Sequence, residues 1–137
     1  MKNLFILFVF VICGNLLVAQ TAKKLTSGDL ELDKGMKSIT ASARKDGDIF
    51  KKTLMAKYFV TEDKATEYYA QYTGGDLFMI FETAKETKKD VADIFKLFNT
   101  NRSTNKGWSE TLKELGVKQD SKTFENIKYA VVNNGLN

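Results

Sequence analysis

Two pairs of glutamates, Glu82 with Glu86 and Glu110 with Glu114, stand four residues apart, the spacing that sets two side chains on one face of a helix. Paired carboxylates in a cleft can divide acid and base roles. Here Lys85, Lys89 and Lys113 are interleaved with them. That pattern reads as solvated helix faces carrying ion pairs worth tenths of a kcal/mol. Asp29, Glu31 and Asp33 are spaced like the start of a calcium loop. The glycine then comes one place late, at Gly35, and the residue at the twelfth position is Thr40 rather than a bidentate glutamate. The expectation is a helix start favoured by its negative charge. Ser42 and Lys45 match the S-x-x-K of penicillin-interacting acyl enzymes, but the further motifs of those enzymes are missing. There is no histidine, and the single cysteine is Cys13. Ser-His and Cys-His activation of a nucleophile is therefore excluded, as is nearly all zinc, copper and haem ligation. No catalytic residue, metal or cofactor is expected, and the chain reads as a non-enzyme.

Aromatic residues offer binding rather than catalysis. Tyr58, Phe59, Tyr68, Tyr69 and Tyr72 form a band whose first role is core and boundary packing. It is also the leading candidate for a contact surface. Tyr68 and Tyr69 are adjacent, so they leave their helix on different faces. With Tyr72, and with Asn101 and Arg102 of a polar stretch further on, they make up the expected binding surface. The only tryptophan, Trp108, aligns with Leu112 and Leu115 and is expected as a packing anchor.

The elements that must position these residues are helical. Leu30, Leu32, Met36, Ile39 and Ala43 place a helix over Asp29–Arg44, with Gly35 as a weak point. Asp46-Gly47-Asp48 is a turn and a new start, after which Phe50, Leu54 and Tyr58 recur as one stripe. Thr61 caps a helix to about Tyr72. Thr73-Gly74-Gly75 ends it, and Asp76 caps the next, where Leu77, Ile80, Phe81 and Ala84 face inward. Thr87 and Asp90 resemble a capping box before Val91, Ile94, Phe95 and Phe98. Asn99–Gly107 reads as a long polar loop. No period-two run suggests a strand, and the chain has no proline. The fold expected is all-α: a single small domain of five to seven short helices, residues 29–137, behind a flexible lead-in at 20–28.

The stretch Lys106–Lys128 closes this architecture. Trp108, Leu112 and Leu115 share one side of a short helix, Gly116 supplies a left-handed C-terminal cap, and Val117 packs back. Ser121 caps a second helix bearing Phe124, Ile127 and Val131. The unit reads as a helical hairpin or corner. Trp108, Glu114, Leu115, Gly116, Val117, Lys118, Ser121, Phe124, Ile127 and Lys128 resemble the closing motif of a group of short, exported, uncharacterised bacterial proteins. That motif runs Gly-Trp-Gly, then Ile-Ala-Lys-Glu-Leu-Gly-Ile-Lys-Pro-Gly-Ser, then Glu-Phe-His. Weaker similarity reaches upstream through LELD, FKKTLMAKYFVTEDK and GGDLFMIFETA, so it covers most of the mature chain. The resemblance implies an architecture and an exported address but no activity. Departures are Ser109 for the second glycine, Thr111-Leu112 for Ile-Ala, Gln119-Asp120 for Pro-Gly, and Glu125 at the histidine. SETLKELGV also has the look of a helix-turn-helix, with Phe124 arriving late and no concentration of basic residues on the second helix.

Residues 1–19 read as a secretory signal peptide: Lys2, an apolar run from Leu4 to Ile12, then small residues with cleavage expected after Ala19. The run falls short of the roughly 20 residues a membrane span needs, and no span is expected once it is removed. Its removal takes Lys2 and Cys13. It leaves 20 basic against 17 acidic residues, too mild an excess to argue for nucleic acid or anionic membranes. The expectation is a periplasmic or extracellular interaction or envelope-associated module, its partner another envelope or secreted protein. A nucleic-acid-binding unit over Trp108–Lys128 and a carrier of a small apolar ligand are the alternatives.

Overall fold

A computed structural model describes residues 26–133. The expected signal segment, residues 20–25 of the expected lead-in and the helix end expected at Asn134-Gly135 lie outside them. Among the described residues the chain forms seven α-helices and no strand. They are α1 (Leu30–Lys45), α2 (Gly47–Tyr58), α3 (Glu62–Gln71), α4 (Gly74–Thr87), α5 (Val91–Ser103), α6 (Trp108–Glu114) and α7 (Lys122–Asn133). The all-α expectation holds.

The centre of the bundle is α4. Its run Leu77-Phe78-Met79-Ile80-Phe81 is apolar at every position, so any face turned to water would expose a large side chain. From Gly74 to Ala84 only Asp76 keeps partial exposure. Phe78 and Met79, which helical spacing had left off the inward face, are fully buried too. The helices α1, α7, α5 and α3 pack around α4, while α2 packs on α1 and α3, and α6 on α5.

Gly74 and Gly75 open α4 rather than closing α3. Thr73, not Asp76, is the N-cap: its hydroxyl accepts from the Asp76 N–H at 3.2 Å and donates to the Asp76 carboxylate at 2.8 Å. Glycine at such a place reads as a stop, but here it serves close packing. A Cβ on Gly75 would fall on the Met36 carbonyl oxygen, with Met36 Cα 2.9 Å away. The two backbones touch, and the Gly75 N–H donates to Thr40 Oγ1 of α1 at 2.9 Å. Gly35 does the same for the other side of α1. A Cβ there would stand 3.2 Å from Val132 Cα of α7, and α1 runs unbroken through it.

Side-chain oxygens of Thr61 and Ser121 cap α3 and α7 as expected, and those of Asp29 and Asp46 cap α1 and α2 at the expected helix starts. The cap of α5 is Asp90, whose carboxylate accepts from the Ala92 N–H. Thr87 stays in the last turn of α4, donating to the Thr83 carbonyl. The expected loop at 99–107 is mostly helix. Phe98 and Asn101 are buried, so the turn they share is held by packing, and α5 ends only when Asn105 turns left-handed at φ 57°. The lead-in is fixed from Thr26 onward: Ser27 is buried, its N–H and hydroxyl both donating to Asp33, and the Thr26 carbonyl accepts from the Ser109 N–H.

Gly75→Ala should cost about 1–3 kcal/mol through overpacking against the α1 backbone. Gly116→Ala has open space and only its φ of 76° to contend with, so it should cost about 1 kcal/mol. Urea unfolding of both variants checks the order.

Candidate functional site

Glu82 interrupts the apolar surface of α4, and the helix carries it to zero exposure. A carboxylate so placed must be paired or neutralised. The last turn of α2 supplies the partners. Tyr58 Oη donates to Oε1 at 2.8 Å, and Lys57 Nζ stands 2.8 Å from the same oxygen. Lys85, on the next turn of α4, is 3.6 Å from Oε2. Oε2 accepts no hydrogen bond, and Lys57 Nζ is off the line of a good one despite its closeness. Burial pushes the Glu82 carboxyl up, but the contacts of Lys57 and Tyr58 and the charges of Lys57 and Lys85 outweigh it and hold the group below its ordinary value. Burial and the neighbouring carboxylate push the Tyr58 phenol far up. The Tyr58 ring is wedged in place, stacked on Phe81 at 4.7 Å and edge-on to Phe78 at 5.7 Å.

An open pocket of about 310 Å³ lies over this group, lined by Lys57, Glu82, Lys85, Glu86, Asn126 and Tyr129. Asn126 of α7 donates to Glu86 at 2.8 Å. Tyr129, one turn further, is 71 % exposed. Glu82 is thus not on a solvated face. The pair Glu110 and Glu114 is, with Glu110 only 3.9 Å from Lys113 at the surface. Asp29 caps α1 and, with Glu31, holds Lys128 of α7, at 3.1 and 2.9 Å. No cluster of candidate metal-holding side chains occurs among the described residues.

The expected structural motif comes together. Trp108 is fully buried, stacks on Phe98 at 4.4 Å and donates its indole N–H to Asp76 at 2.9 Å. Leu112, Phe124 and Ile127 are buried, and Leu115 packs on the core from its edge. Gly116 closes α6 with left-handed backbone, its N–H on Lys113 and that of Val117 on Leu112. The unit is a corner rather than a packed hairpin, because α6 lies on α5 while α7 lies on α1 and α4.

The expected binding surface comes together only in part: Tyr69, Tyr72 and Arg102 line one open pocket beside Thr40 and Arg44 of α1, while Tyr68 and Asn101 do not. Tyr68 stacks on Phe95 at 4.6 Å, Tyr69 donates to the Ala43 carbonyl, and Tyr72 accepts from Asn99, all three half-buried. Arg102 lies over the Tyr72 ring at 5.2 Å. Asn101 is buried and donates to Thr111, so it cannot reach a partner. Among the described residues the most exposed aromatic is instead Phe59, at 92 %, with φ 56° and ψ 33°. Sequence signals for these sites existed. Glu82 sits directly after an unbroken apolar run, and Phe59 lies where the stripe of α2 breaks. Comparison of the chain with family models, with curated proteins and with solved structures finds no match in any of the three.

Because Glu82 ionises more easily folded than unfolded, it contributes stability above its unfolded pKa of about 4.3, and this is lost as pH falls through the lower folded value. Glu82→Gln should therefore lie about 3 kcal/mol below the parent at neutral pH. The gap should narrow below about pH 4, as urea melts across that range would show. Tyr58 runs the other way, its contribution present below about pH 10 and lost above. In an alkaline absorbance titration, one of the five tyrosines should ionise only as the chain unfolds.

Proposed function

We propose that the protein is an exported, non-enzymatic helical interaction module that binds another envelope or secreted protein at the corner between α2 and α3. Phe59 carries this reading. A bulky residue at positive φ is a backbone outlier, and left-handed backbone costs a side-chain-bearing residue about 1–2 kcal/mol. Phe59 meets that cost while burying almost none of its ring. The left-handed turn itself ends α2, as Lys88 ends α4, so it is the bare ring that calls for a partner. Glu62 and Asp63, exposed in the first turn of α3, follow close behind. The matching partner surface is an apolar pocket with a basic rim.

Export is supported by Lys2, the apolar run Leu4–Ile12 and the small residues before Gln20. The likeness of Trp108–Lys128 to exported bacterial proteins agrees with it. No helix among the described residues is long and apolar enough to cross a membrane. The non-enzymatic reading is supported by the lack of histidine and by a cysteine confined to the leading apolar run.

Phe59→Gly separates the two demands on this position. It should raise stability by about 1 kcal/mol, since glycine accepts φ 56° and little buried surface is lost. It should also abolish capture of a partner that the parent chain retains from an envelope extract. An unchanged set of captured proteins, or retention only of a second copy of this chain, would refute the proposal.

A further inference from the structure

The pocket over Glu82 has the chemistry of a ligand site, and nothing in the bundle requires it. Glu82 is fully buried, yet Oε2 has no hydrogen-bond partner, while Lys57 Nζ is held 2.8 Å from the other oxygen, Oε1. A buried carboxylate oxygen left without a hydrogen bond beside a pocket is costly unless something else meets it. Lys85 stands near Oε2 at 3.6 Å, outside hydrogen-bond reach, on a side chain 63 % exposed that can swing aside.

We propose that this pocket binds a neutral saccharide, one sugar ring deep. The charges decide the class. Glu82 and Glu86 are matched by Lys57 and Lys85. A net anion or cation therefore gains nothing from the pocket as a whole. A hydroxyl group does gain, because it donates and accepts at once. One hydroxyl can donate to Glu82 Oε2 and accept from Lys57 or Lys85. Its neighbour on the ring can reach Glu86 and the Asn126 amide, which already lie 2.8 Å apart. Tyr129 supplies the remaining element, an exposed aromatic ring at the pocket wall for the C–H face of the sugar. The volume of about 310 Å³ is at the small end for ligand pockets and suits a single ring. This site stands on α4, α7 and Lys57 of α2, and Phe59 does not line it.

The test is a 15N-resolved NMR titration of residues 20–137 with the methyl glycosides of glucose, galactose, mannose and N-acetylglucosamine, each to about 50 mM. At least one should give saturable shifts confined to the amides near Glu82, Lys85, Asn126 and Tyr129, with a millimolar Kd. Tyr129→Ala, at an exposed position, should keep the fold and weaken binding at least tenfold, and Glu82→Gln, where folded, should do the same. No saturable shift with any glycoside would overturn the proposal, and so would shifts unchanged in Tyr129→Ala. Saturation by glycine or inorganic phosphate at the same amides, without the glycosides, would also overturn it and assign the pocket to a charged ligand.

Discussion

The backbone of α4 touches the backbone of α1 where Gly75 meets Met36, and the rest of the bundle is arranged around that contact. It is possible only because glycine has no Cβ. With the two axes drawn together, Ile39 and Ala43 of α1 and Leu77 to Phe81 of α4 lose all or nearly all contact with water. The apolar character of α4 on every face then requires cover on its remaining sides. Helix α7 provides it through Phe124, Ile127 and Val131, and can do so because Gly35 lets it close on α1. Helices α5 and α3 cover the last side with Phe95, Phe98 and the half-buried tyrosines.

A helix buried on all sides leaves no cheap position for a charge, so Glu82 shapes whatever lies near it. Lys57 and Tyr58 converge on its carboxylate, and Val60 returns to the edge of the core. Phe59, held between neighbours anchored on both sides, takes the left-handed turn that ends α2. That turn and the pocket over Glu82 thus share one cause, whereas nothing in the bundle calls for the bare ring of Phe59. Breaking a buried ion pair by removing one partner costs more than the pair is worth over an apolar substitute. Glu82 is therefore a poor choice for stability alone, which agrees with its having a second use.

Much of this was legible in the sequence because local chemistry decided it. Caps at Thr61 and Ser121 need only one side-chain oxygen near free N–H groups, and Gly116 needs only its φ. The seam of Trp108, Leu112 and Leu115 follows from helical spacing. What failed depended on distant partners. Gly74-Gly75 read as a stop because the sequence does not display Met36 opposite it. Asn99–Ser103 read as loop because nothing local reveals that Asn101 reaches Thr111. Glu82 read as solvated because the lysines around it suggested a wet face. Its burial comes from the residues beside it being apolar all round, a signal that periodicity along one face discards. Tyr68, Tyr69 and Tyr72 are neighbours in sequence, but packing sets Tyr68 and Tyr72 on Phe95 and ties Tyr69 to the Ala43 carbonyl.

Native-state hydrogen exchange, followed amide by amide against urea, tests most directly the claim that α4 and its contact with α1 hold the bundle together. The amides of Leu77–Thr83 and of Ile39–Ala43 should exchange only through global unfolding, sharing one free energy and one urea dependence. Those of α3, packed on one side only, should open at lower free energy. If the α4 amides instead exchanged through local openings easier than those of α3, the central helix would not be what the rest depends on, and the account would be wrong.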